Sequence, residues 1–169
     1  MRVIISGSRS INDPRVLDMA IIDAGFEITE VVSGCAKGVD TEAIAWAEEN
    51  NIPVEPFPAD WSNLSHPDAI IKTQPWGEKY DARAGLRRNE LMAVYADALI
   101  AIWDGKSPGT KHMIKMARKR GLPIYIYRTD ASARSGHLQY ETKHQFLSRM
   151  IKRANEAPDC LLFDQEQSG

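Results

Sequence analysis

Three short stretches of the chain combine glycine, small hydroxyl residues and one cation: Gly7-Ser8-Arg9-Ser10, Gly34-Cys35-Ala36-Lys37-Gly38-Val39-Asp40, and Asp104-Gly105-Lys106-Ser107-Pro108-Gly109-Thr110. Glycine lets main-chain N–H groups approach an anion closely. A helix that begins just beyond adds unpaired donors and a partial positive charge. Together these residue types can cradle a phosphate or pyrophosphate, although any one stretch alone would read as a turn. A fourth constellation, Arg83 with Arg87-Arg88-Asn89, offers guanidinium forks suited to phosphate or carboxylate. Neighbouring residues on a helix point about 100° apart, so one arginine of the pair, taken as Arg88 and accompanied by Asn89, is expected to face a ligand. Trp61 and Trp76 are candidates for stacking on a base.

Two well-known phosphate motifs are absent. A P-loop ending in Gly105-Lys106-Ser107 would need a glycine where Ile100 stands, and Arg9 occupies the second glycine position of a dinucleotide fingerprint. No metal is expected. Cys35 and Cys160 are far apart, and His66, His112, His137 and His144 are scattered without ligand spacing. Bond cleavage would need a carboxylate. Glu90 and Asp104 are the catalytic candidates, with Asp60 also available, whereas Asp40 reads as a helix cap.

The elements that must position these residues alternate. Val3–Ser6, Ile28–Val32, Pro53–Phe57, Ala98–Trp103 and Pro123–Tyr127 read as strands, the third confined to a sheet edge by its prolines. Helical spacing follows Asp13-Pro14, runs from Glu42 to Asn50 and from Leu86 to Tyr95, and runs again from Thr110 to Arg120. Residues 59–84 show no sustained periodicity. The expected fold is α/β and Rossmann-like, three layers around a mostly parallel sheet of about five strands. Residues 1–128 would form the nucleotide-binding domain. Residues 129–169 would form a linker, a C-terminal helix carrying Tyr140, Leu147, Ile151 and Ala154, and a tail. In such sheets ligands sit beyond the strands' carboxyl ends, where all three glycine-rich stretches fall.

Composition bounds the rest. The chain has 169 residues, 43% hydrophobic and 26% charged, enough for one cored domain and against intrinsic disorder. A net charge of −2 and no evident basic stripe make nucleic acid an unlikely partner. No run approaches the ~18 apolar residues of a membrane span, and the first residues are too briefly apolar for a leader. A soluble, cytoplasmic protein without membrane contact is expected.

As an ordered set, Gly7-Ser8-Arg9, Val32 to Asp40, Pro58-Ala59-Asp60-Trp61, Gly85 to Met92 and Ala96 to Thr110 resemble the SLOG superfamily, in its YspA/YpsA-related branch. The resemblance covers roughly residues 1–128. That superfamily is Rossmann-like and includes the Lonely Guy phosphoribohydrolases and the DNA-processing protein DprA. It implies a nucleotide or an NAD- or ADP-ribose-like ligand held across Gly7, Ser8, Arg9, Gly34, Lys37, Gly38, Arg88, Asn89, Gly105, Lys106, Ser107, Gly109 and Thr110. No cofactor is required, and a homo-oligomer is implied. The second stretch departs from the pattern with Cys35 for glycine and Lys37 for arginine. The position of the phosphoribohydrolase glutamate is Met113, which cannot transfer a proton. Binding of a nucleotide-type signal is therefore the main expectation. An N-glycosidic hydrolase and a DprA-like single-stranded DNA binder are the alternatives.

Overall fold

A computed structural model of the chain describes residues 1–130. The expected C-terminal helix, Cys160, His137 and His144 lie outside the described residues. Within them the order is β1 (Arg2–Gly7), α1 (Pro14–Ala24), β2 (Glu30–Ser33), α2 (Val39–Glu49), β3 (Val54–Pro56), β4 (Ile71–Thr73), β5 (Lys79–Asp81), α3 (Ala84–Tyr95), β6 (Ala98–Trp103), α4 (Pro108–Lys119) and β7 (Ile124–Arg128). Five strands form one sheet in the order β3-β2-β1-β6-β7, every pairing parallel. The expected Rossmann-like α/β fold is the observed one, and the proline-rich β3 lies at the sheet edge. The chain winds outward from β1 to β3 and then returns to place β6 beside β1. The switch in strand order therefore falls between β1 and β6.

Strand alternation builds the two cores. Ile4, Leu99 and Ala101 pack toward Met92, Met113 and Ala117 of α3 and α4. Val3, Ile5, Ala98, Ile100 and Ile102 pack toward Leu17, Ala20, Ala43 and Ala47 of α1 and α2. Both faces of the central strands are covered, which explains their unbroken apolar runs. Local signals set the helix ends. Asp13 accepts the Arg15 N–H at 3.1 Å, Pro14 opens α1, and Gly25 closes it at φ 61°.

Two sequence readings change. Asp40 does not cap α2. Gly38 occupies that position without a side-chain cap, and Asp40 lies inside the first turn with its carboxylate turned back onto the Ala36 N–H. Residues 59–84 are not wholly irregular, because β4 and β5 pair antiparallel in a small hairpin. The strands are too short for their alternation to register as a pattern. Ion pairs anchor the hairpin instead. Asp81, 0% exposed, accepts the Ile70 and Arg83 N–H groups at 2.8 and 2.9 Å and bonds the Arg87 guanidinium. Arg87 also reaches Asp68 at 2.7 Å, joined there by Arg83 at 3.4 Å. Arg87 thus fastens the hairpin to α3 and is unavailable to a ligand.

Burial alone would push the Asp81 carboxyl up. The Arg83 amide, the Arg87 guanidinium and the Ile70 amide outweigh it and hold the group down at about 2. A carboxyl depressed in the fold adds stability above its unfolded value, about 4, and loses it as pH falls toward the folded value. Urea unfolding between those limits should show stability falling with acid, and Asp81→Asn should flatten that fall while lowering stability at neutral pH. An acid limb unchanged in the variant would remove Asp81 from its cause.

Candidate nucleotide-phosphate site

The site begins with the way β1 and β6 end together. Ser8, 1% exposed, donates its N–H to Ile102 O at 3.0 Å, and its Oγ accepts the Asp104 N–H at 3.2 Å. Gly7 precedes this stitch, and a Cβ there would lie 2.6 Å from Val39 Cγ2 and overlap the Ile102 carbonyl. No other residue fits between the strand and α2. Beyond Ser8 the chain turns away from β6, and a cavity of about 460 Å³ opens between the two ends.

Its walls come from several segments, Ala36 and Asp40 around the start of α2 among them. Ser6, Gly7, Ser8, Arg9 and Ser10 form one side, and Ser107, Pro108, Gly109 and Thr110 at the start of α4 form the other. Arg88, Asn89 and Asp104 lie between, and Trp61 closes the outer side. The α4 start is a capped turn with one donor left over. Ser107 Oγ accepts from Thr110 N and Thr110 Oγ1 at 3.4 and 3.0 Å, and Pro108 has no N–H. That leaves the Gly109 N–H, which has no acceptor among the described residues. Arg9 and Ser10 are exposed on the rim. Trp61, 39% exposed, lies over Gly85 and meets Tyr80 edge-on with centroids 6.4 Å apart. An amide, a guanidinium and an indole thus border one nucleotide-sized space.

The other candidates fall differently. Arg88 borders the cavity, but its guanidinium bonds Gly34 O, Phe57 O at 3.3 Å and Asn89 Oδ1 at 3.0 Å. A Cβ on Gly34 would overlap that guanidinium. Arg88 therefore staples the loops after β2 and β3 to α3, so removing it would cost stability. Burial lowers its affinity for its proton, opposed by Asp40. Burial in turn raises Asp40, opposed by Arg88 and by the Ala36 and Gly7 amides. Asn89 Nδ2 reaches Gly109 O at 3.3 Å and steadies the α4 start.

Lys37 and Lys106 are exposed and do not line the cavity, and neither do Gly34, Gly38 and Gly105. Gly105 instead packs against Arg128 and Asp130. Trp76 is 72% exposed on the hairpin turn, its Nε1 donating to Glu78 at 3.2 Å. Glu90 is exposed and borders a separate crevice with Lys119 and Arg120. Met113 is buried in the core at 0% exposure. Asp104 does border the cavity, but its Oδ1 accepts the Lys106 and Ser107 amides at 2.9 and 2.7 Å, which pull its carboxyl below the usual range. Sequence reading missed the wall formed by Ala82, just after β5, and by Gly85 and Leu86 in the first turn of α3, because these small or apolar residues carry no chemistry that marks a site. Among the described residues, no group of three or more His, Cys, Asp or Glu could hold a metal, and no helix is long and apolar enough to cross a membrane.

A family model described as "YspA, cpYpsA-related SLOG family" matches residues 1–64. The Gene 61 protein of Mycobacterium phage D29 is 32% identical over 133 residues, covering 73% of this chain and 93% of that relative. The chain belongs to the YspA, cpYpsA-related SLOG family. Two solved structures share the fold of this SLOG chain. DprA from Streptococcus pneumoniae matches with a TM-score of 0.53 at 20% identity, covering 74% of this chain and 49% of that protein. The SLOG chain thus spans about half the pneumococcal protein's length. DprA from Helicobacter pylori matches with a TM-score of 0.51 at 21% identity, covering 90% and 81%. That second structure is described by its single-stranded DNA binding mode.

This overturns the expectation that nucleic acid is an unlikely partner. The expectation rested on net charge, and net charge conceals a local excess. Residues 105–128 carry seven Lys and Arg and no Asp or Glu. Lys111, Lys115 and Arg118, spaced i, i+4, i+7, share one exposed face of α4. That spacing was the legible signal of a basic stripe.

Gly7→Ala should lower the melting temperature by several degrees, since the clash is with backbone and a buried valine (about 1–3 kcal/mol). Gly109→Ala, where a Cβ meets nothing within 4 Å, should leave it unchanged or higher. Calorimetry of the two variants checks the contrast, and equal losses would contradict it.

Proposed function

We propose that the chain binds single-stranded DNA and seats one nucleotide in the cavity between β1 and β6. The observation that carries this reading is the convergence on one cavity of the Gly7–Ser10 turn, the Gly109 N–H at the start of α4 and the Trp61 ring. A phosphate would accept from the Gly109 amide and from Arg9, whose guanidinium is exposed on the rim. The base would lie against Trp61, a contact that tolerates any base because every base has a π-face. The cationic face of α4 would supply the salt-dependent part of the attraction. The DNA binding described for the H. pylori structure of this fold supports the same choice.

A free nucleotide is the second reading, favoured by a cavity of about 460 Å³, within the range of small-ligand sites. Neither reading calls on bond cleavage. The Glu90 carboxylate lies outside the cavity, that of Asp104 is held by main-chain amides, and Met113 is in the core.

Fluorescence anisotropy with a labelled oligothymidylate of about twelve nucleotides tests the proposal. Binding should weaken as salt rises. Arg9→Ala should reduce affinity about tenfold, the loss expected for one charge-assisted hydrogen bond. Absence of binding at low salt, with thermal stabilisation by thymidine monophosphate alone, would transfer the site to the second reading. Binding indifferent to Arg9→Ala would place the strand elsewhere.

A further inference from the structure

A second groove of about 480 Å³ lies on the far side of the α4 start, between α4 and the carboxyl ends of β6 and β7. Its floor is apolar, with Trp103, Ile114 and Ile126. Its rim is cationic, with Lys111, Lys115 and Arg118. The Trp103 ring is fixed, since its Nε1 donates to Ser107 O at 3.1 Å and the Arg128 guanidinium sits 4.8 Å from its centroid. Arg128 is held in turn by Asp130 at 2.5 Å. The groove is not isolated, because Pro108 lines both it and the first cavity. The two share a ridge one residue wide, and His112 on the groove wall lies 3.4 Å from Asn89 of the first cavity.

An apolar floor beneath a row of cations suits a ligand with a flat, weakly polar body and a negative edge. Lysines at i and i+4 stand about 6 Å apart, a spacing that can serve successive phosphates of one strand. We infer that this groove is a second nucleotide subsite, and that a single DNA strand seated in the first cavity crosses the Pro108 ridge into it. The inference rests on the single-strand reading and adds to it the strand's path. The base of the adjoining nucleotide lies over Ile114, Ile126 and the edge of Trp103, while Lys111 and Lys115 take its phosphates. The charge pattern favours this occupant over an uncharged apolar one, which would leave the cationic rim desolvated without a partner.

The test is a pair of charge reversals in the full chain, read against the labelled oligothymidylate and against thymidine monophosphate. Lys111→Glu with Lys115→Glu alters exposed residues of the rim. Lys119→Glu with Arg120→Glu makes the same charge change beside the separate crevice at the end of α4. The first pair should weaken oligonucleotide binding tenfold or more and reduce the salt slope by about 1.4, two contacts at about 0.7 each on a single strand. It should leave thermal stabilisation by the mononucleotide unchanged. The second pair should have a much smaller effect on the oligonucleotide. Equal effects of the two pairs would show a general field rather than a path, and would overturn the inference. So would wild-type affinity in the first pair, the result expected if residues after 130 of this chain cover the groove. If the wild-type protein binds no oligonucleotide, the single-strand reading itself has failed; if it binds and only the rim reversal is silent, this inference alone has failed.

Discussion

The site depends on a shared constraint at the ends of two neighbouring parallel strands. β1 and β6 pair through Gly7 and Ile102, and the buried Ser8 then ties both chains through its N–H and its hydroxyl. Past that residue the polypeptides must diverge, because one runs toward α1 and the other toward α4. Divergence between strands tied so closely leaves a cleft with main-chain amides on both sides. Gly7 is obligatory for the approach, Asp104 shapes the following turn by accepting two amides, and Ser107 caps the helix that results. The cleft is thus a consequence of strand order, while its lining is a consequence of local turn chemistry.

Much of this is legible in the amino-acid sequence. Continuous apolar runs ending in glycine and serine marked the buried strands and their carboxyl ends, and α/β alternation placed those ends on one edge. Gly7, Ser8, Arg9, Ser107, Gly109 and Thr110 meet at the cavity for that reason. Roles within the group were less visible. Arg88 and Lys37 look alike as cations in candidate loops. Yet Arg88 spends its donors on carbonyls of two other loops, and Lys37 is exposed outside the cavity lining. Sequence position does not reveal which donors the fold has already used.

Two features escaped for different reasons. The hairpin of residues 71–81 is held by charge rather than by an apolar stripe, so periodicity had nothing to detect. Its consequence is large, since Asp81 and Arg87 fix the segment from which Trp61 reaches the cavity. The basic face of α4 was hidden by averaging. A chain of net charge −2 can still present a dense cationic surface when its acids lie elsewhere. Charge counted by element, with helical spacing applied, would have shown it.

The central claim is that a nucleotide phosphate rests between the β1 turn and the start of α4. Amide chemical shifts followed by nuclear magnetic resonance during titration with a short single strand test it most directly. The account predicts that the largest changes fall on Arg9, Ser10 and Gly109, with the Trp61 indole moving alongside. Shifts that bypass these groups and gather on α1 or the outer face of α2 would contradict it.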